Sequence, residues 1–155
     1  MASNDATITD EFGDPDDWIE IYNPTGSAVN IGGYYITDDL TELDQWQIPT
    51  TNPGQTTIPA GGYLLLWADK EPEQGVLHVD IKLGSGGEDI ALVRPDGSTI
   101  VDSYTFGVQA QDVSEGRTPN GGASFDFFAE PTPNEANDTD PVSYTHLTLP
   151  TTPYV

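Results

Sequence analysis

The stretch Ile58-Pro59-Ala60-Gly61-Gly62-Tyr63-Leu64-Leu65-Leu66-Trp67-Ala68 decides the fold. A Pro-Ala-Gly-Gly turn delivers the chain into a short run that is apolar on both faces, which is the pattern of a strand buried on two sides and is too short for a core helix. Working outward, Leu77, Val79, Ile81 and Leu83 alternate with His78, Asp80 and Lys82, which predicts a strand with one buried and one wet face, His78 on the wet one. Gly84-Ser85-Gly86-Gly87 then turns the chain into Asp89–Val93. Arg94-Pro95-Asp96-Gly97 predicts a hairpin, because proline presets φ and Asp-Gly supplies backbone with φ above zero. Its second arm runs from Thr99 to Phe106, with Ile100, Tyr104 and Phe106 on one face.

Upstream, Ile19 and Ile21 share one face of Trp18–Tyr22 and Asn23-Pro24-Thr25-Gly26 closes it. Short runs at Ala28–Ile31, Tyr34–Thr37 and Trp46–Pro49 follow, the first two parted by Gly32-Gly33, which suits a bulge. Phe125, Phe127 and Phe128 form the last apolar cluster. The expectation is an all-β, immunoglobulin-like β-sandwich of about eight short, mostly antiparallel strands, burying Ile19, Ile21, Tyr34, Ile36, Leu65, Ile81, Leu92 and Phe106. No stretch reads as an amphipathic helix, and no fixed-period repeat suggests a solenoid or propeller.

Charge narrows the function classes. The 155 residues carry 26 Asp and Glu against 4 Lys and Arg, a formal net charge of -22. So few cations cannot make the basic patch that phosphates require, which excludes nucleic acid as a partner and argues against anionic membrane surfaces. With no cysteine there is no disulfide, thiolate metal site or thiol nucleophile. No apolar run approaches the ~20 residues of a membrane span, and Met1–Phe12 lacks the basic start and apolar stretch of a signal peptide.

Taken together, TITDEFGDPDDWIEIYNPTG, AVNIGGYYITDD, WQIP, TIPAGGYLLLWA, LHVDIKLGSGGEDIALVRPDG, DVSEGRTPNGG and FAEPTPNEAN resemble, in order and spacing, the lamin-tail domain in the version found in exported bacterial proteins. The resemblance implies an immunoglobulin-like sandwich over residues 1–137, attached in bacteria to secreted enzymes and surface proteins, and it implies no catalytic residues. Members usually open on a strand whose Met-Ala-x-Asn end is matched here by Met1-Ala2-Ser3-Asn4, which implies a first strand cut short at the N-terminus. Residues 138–155 are read as a tail outside the domain. Within it, Val142–Thr151 resembles translated sequencing-library adapter, an assembly artefact, the alternative being a native hairpin tail.

Two groups of residues could carry chemistry. Asp10, Glu11, Asp14, Asp16 and Asp17 crowd eight residues broken by Gly13 and Pro15, which supplies oxygen ligands for calcium without matching the EF-hand loop. The alternative is a solvated acidic loop, the common fate of acidic runs. Asp38, Asp39, Glu42 and Asp44 form a second acidic loop with the same default. A hydrolytic triad would need His78, which this reading leaves as an exposed strand histidine with no G-x-S-x-G nucleophile motif anywhere. Arg117 is expected in a structural ion pair. Trp18, Tyr22, Tyr35 and Trp46 are either core or a sugar-stacking platform.

These readings converge on a non-catalytic accessory or structural module of an exported, extracellular or cell-surface bacterial protein, without a cofactor unless calcium. It would mediate attachment, spacing or binding of a protein, cell-surface or polysaccharide partner, beside neighbouring domains of a longer parent chain. The alternative is a calcium-dependent carbohydrate-binding module.

Overall fold

A computed structural model of the chain describes residues 1–137; the tail expected at 138–155 lies outside the described residues. Two sheets dominate. The first has the order β1-β6-β7, with β1 Trp18–Tyr22, β6 Tyr63–Ala68 and β7 His78–Val79. The second has the order β4-β3-β8-β9, with β3 Tyr35–Thr37, β4 Trp46–Gln47, β8 Glu88–Val93 and β9 Ile100–Phe106. Two small pairs complete the β structure: β2 Val29–Asn30 with β5 Thr57–Ile58, and the hairpin of β10 Ser114–Thr118 with β11 Ser124–Phe128. Among the described residues, helix is limited to single turns at Pro53–Thr56 and Pro72–Gln74. All pairings are antiparallel except β6 with β7. The expected all-β sandwich is present, cut into more and shorter strands than the sequence suggests.

Register explains why β6 is apolar on both sides. Ile19 stands opposite Leu66 and Ile21 opposite Leu64, on the face that meets the second sheet; Trp18 opposes Trp67 on the other face. Leu66, Ala68, Val79, Ile81, Ile36 and Phe106 join Ile31, Ile48 and Ile58 in the main core. On the outer face Met1 covers Trp18 and Trp67, with Ile8 and Leu65 packed against them. Of the expected core, Ile36 and Ile81 are fully buried and Phe106 nearly so, while Ile19, Ile21, Tyr34 and Leu92 are half-buried against the core and Leu65 belongs to the outer cluster. Alternation shows which face a residue takes but not how deeply the opposite layer covers it.

Turn chemistry holds the connections. Asp96 Oδ1 accepts from the Ser98 and Thr99 amides and Oδ2 from the Thr99 hydroxyl, and the Thr99 hydroxyl followed by the two amides holds its carboxyl at about 2. At the hairpin tip only Gly97 takes the left-handed region, with φ 70°. A register shift follows, leaving Val101 as the extra residue and placing Ile100 and Val101 in solvent. This corrects the expectation that Ile100 shares a face with Tyr104 and Phe106, because a bulge breaks the alternation that the expectation assumed. Gly32-Gly33 is likewise a tight turn, closed by Tyr34 N donating to Ile31 O, with Gly33 at φ 88°.

Asn23 ties the turn after β1 to the segment between β5 and β6. It is buried, its amide donates to the carbonyls of Ser27, Ile58 and Pro59, and its Oδ1 accepts from the Thr25 amide and hydroxyl. Asn23→Ala strips those groups of their shared partner where water cannot fully replace it, so a loss of about 1–3 kcal/mol in denaturant unfolding is expected. A change within about 0.5 kcal/mol would show that the network is not structural.

Candidate functional site

Beyond β6, Lys70 adopts φ 65°, and the reversal brings Asp69 Oδ1 under the Glu71 amide at 2.9 Å. Asp69 is buried, and its Oδ2 lies 2.5 Å from His78 Nδ1 on β7. The other ring nitrogen, Nε2, meets Glu11 Oε2 at 3.2 Å, and Phe12 lies edge-on to the ring at 6.0 Å between centroids. His78 is therefore 1% exposed and not the wet-face histidine its strand position predicts. Two carboxylates from distant segments claim both its nitrogens. Burial pulls its pKa down, but the hydrogen bond and charge of Asp69, followed by those of Glu11, outweigh burial and leave it raised.

The acidic lead-in wraps the same end of the sandwich. Asp10 Oδ1 accepts from the Phe12 and Asp14 amides, and Gly13, at φ 94°, turns the loop back. Ligand atoms of Asp10, Asp14 and Asp16 lie within 4.8 Å of one another, as do those of Asp16, Asp69 and Glu71, and those of Asp10, Glu11 and His78. Burial, then the charges of Asp69, Asp10 and Asp14, raise the Asp16 carboxyl. Burial, then Asp69 and Asp16, raise Glu71. Asp10 Oδ2 and Asp16 Oδ2 are buried with no hydrogen-bond donor among the described residues.

The structure thus brings Asp10, Asp14 and Asp16 together, keeps Glu11 beside Asp10 in a second group with His78, and turns Asp17 away. Glu11 turns to His78, and Asp17 accepts from the Asn4 amide. Asp69 and Glu71 join from a segment that sequence reasoning did not connect to the lead-in. The available signal was a carboxylate directly after a strand buried on both faces, where an Asp is costly without a partner. The second acidic loop is organised differently: Thr37 and Asp39 bond within it, and it contributes no metal-like group among the described residues. Arg117 pairs with Asp102 at 2.7 Å and lies 4.6 Å above the Phe125 ring, the structural role expected of it. The four aromatics do not make a platform, since Trp18 is buried and Trp46 packs on the core.

At the other side of β1 lies a cavity of about 690 Å³, lined along one wall by Trp18–Tyr22 and along another by Ser114–Arg117. Trp18 exchanges both backbone hydrogen bonds with Met1, while Asn23 exchanges with Gly61 and Gly62 on the β6 side. Alternation then turns the N–H and C=O of Glu20 and Tyr22 into the cavity. No strand among the described residues pairs with that edge.

The family model described as Lamin Tail Domain matches residues 1–107, from the N-terminus to just past β9 and short of the β10–β11 hairpin. No curated protein and no solved structure matches the chain.

Proposed function

The chain belongs to the lamin tail domain family, an immunoglobulin-like fold, and from that premise we propose that it is a non-catalytic accessory module of an exported bacterial protein that holds a partner polypeptide in the groove between β1 and β10. The observation that carries the binding role is the unpaired edge of β1 inside that groove. Backbone groups facing a walled, partly apolar cavity favour an extended strand, which satisfies them by adding to the sheet. The occupant that fits is a strand antiparallel to β1, continuing the pairing that Met1 makes with Trp18. Its inward side chains would be apolar, and the net charge of -22 favours basic residues at the outward positions. Walling by β10 and β11 disfavours edge-to-edge pairing of two copies through β1. A non-catalytic role is supported by His78, both of whose ring nitrogens are engaged by carboxylates.

A six-residue peptide of alternating valine and lysine tests this reading. Saturable binding with amide shifts confined to Trp18, Glu20, Tyr22 and β10 is expected. Glu20→Pro removes an outward N–H from an edge strand without touching the β6 ladder and should weaken binding at least tenfold. Shifts elsewhere, or none at millimolar peptide, would overturn it.

One observation favours the second reading, a calcium-dependent carbohydrate-binding module: Phe12 is 59% exposed directly beside the acidic cluster, where a sugar ring could stack on it. Calcium-dependent retention on polysaccharide that Phe12→Ala abolishes would support that reading over the first.

A further inference from the structure

We propose that the loop before β1 and the turn after β6 form a site for one calcium ion, with Asp10, Asp14 and Asp16 as its core ligands and Asp69 and Glu71 completing the acidic shell. The inference goes beyond the groove and does not depend on it. Its first support is spacing: oxygens on opposite sides of an ion bound at 2.3–2.6 Å lie roughly 4.6–5.2 Å apart, and the Asp10, Asp14 and Asp16 oxygens fall within 4.8 Å of one another. The second and independent support is that Asp10 is 7% exposed and its Oδ2, like that of Asp16, has no donor among the described residues. A buried carboxylate oxygen without a donor is strongly unfavourable, and two in one cluster compound the cost by repulsion.

Among the described residues no Lys or Arg forms a salt bridge with the cluster, and the positive charge nearby comes only from His78, which Asp69 and Glu11 engage, and from Lys82, which acts on Asp16 at a distance without forming an ion pair. A small cation satisfies several such oxygens at once. Asp10, Asp14 and Asp16 give an all-oxygen set, with Asp69 and Glu71 grouped beside Asp16 from a second loop, which suits calcium; magnesium keeps most of its water and takes one or two carboxylates. Asp69 is placed to orient the shell: the Glu71 amide holds one oxygen and His78 the other.

The experiment titrates chelator-stripped chain with calcium chloride and, separately, with sodium chloride and magnesium chloride at matched ionic strength, following the melting temperature and the heat of binding. Calcium should give a saturable rise with one site and a dissociation constant of roughly 10⁻⁴–10⁻³ M or tighter, as extracellular modules do. Asp16→Asn and Asp14→Asn should each weaken that affinity at least tenfold, and Asp38→Asn should leave it unchanged. Asp14 is exposed, so its variant keeps the test decisive even where Asp16→Asn compromises folding. An equal response to the three salts, or an unchanged calcium affinity in folded Asp14→Asn, would overturn the proposal.

Discussion

Leu66→Ala is expected to cost about 2–5 kcal/mol of unfolding free energy, the range for truncating a fully buried leucine. Leu66 is 0% exposed in the middle of β6, opposite Ile19 on the face that meets the second sheet. Its removal leaves a void bounded by both sheets, which neither can close without moving a hydrogen-bonded ladder. Leu65, one residue away, points to the outer face and is half-buried against the small cluster of Met1, Trp18 and Trp67. Leu65→Ala should therefore cost clearly less. Denaturant unfolding of the two variants, with slopes compared to check that the denatured states are alike, measures the difference. Equal losses, or a larger one at Leu65, would show that the main core lies on the other face of β6.

That pair of leucines also shows how far a sequence reading reaches. An apolar run bounded by turn residues identifies β6 as buried on both faces, because the information is local. Which face meets the deeper layer depends on residues far along the chain, such as Ile36 and Phe106. The alternation from Leu77 to Leu83 places Val79, Ile81 and Leu83 inward, where they are found, and leaves Asp80 and Lys82 in solvent. It fails at His78 because burial there comes from Asp69 on the adjoining turn and from Glu11 in the lead-in. The acidic lead-in is legible as a source of oxygen ligands for the same reason that β6 is: its residues are neighbours in the chain. Asp69 and Glu71 arrive through tertiary structure, and Asp17 is drawn away by Asn4. The groove has no motif at all, since it is defined by the pairing that β1 lacks among the described residues.

His78 offers the other large effect. With Asp69 it forms a buried pair, 1% and 0% exposed at the side chains, and removing one member of such a pair costs about 3–5 kcal/mol because the other is left uncompensated. His78→Leu should therefore destabilise the chelator-treated chain by about that amount. The double variant, His78→Leu with Asp69→Leu, should recover much of the loss, since an apolar replacement of a buried pair is often near neutral. The pH dependence has a definite sign. Burial lowers the His78 pKa, but Asp69 and Glu11 outweigh it and leave it above its ordinary 6.5. A pKa raised by folding contributes stability that is fully present below the unfolded value and is lost as pH rises through the folded one. Asp16, raised by burial and then by Asp69, Asp10 and Asp14, acts in the same direction from its own ordinary 3.8 upward. The Met1 ammonium, held at about 6 by burial, acts oppositely between pH 6 and 8, but it is common to the chain and its His78→Leu variant and cancels in their difference. The stability advantage of the unsubstituted chain over His78→Leu should accordingly be larger at pH 5.5 than at pH 9. A difference that does not change with pH, or grows toward alkaline pH, would mean that His78 is neutral in the folded chain and that Asp69 takes its stabilisation from elsewhere.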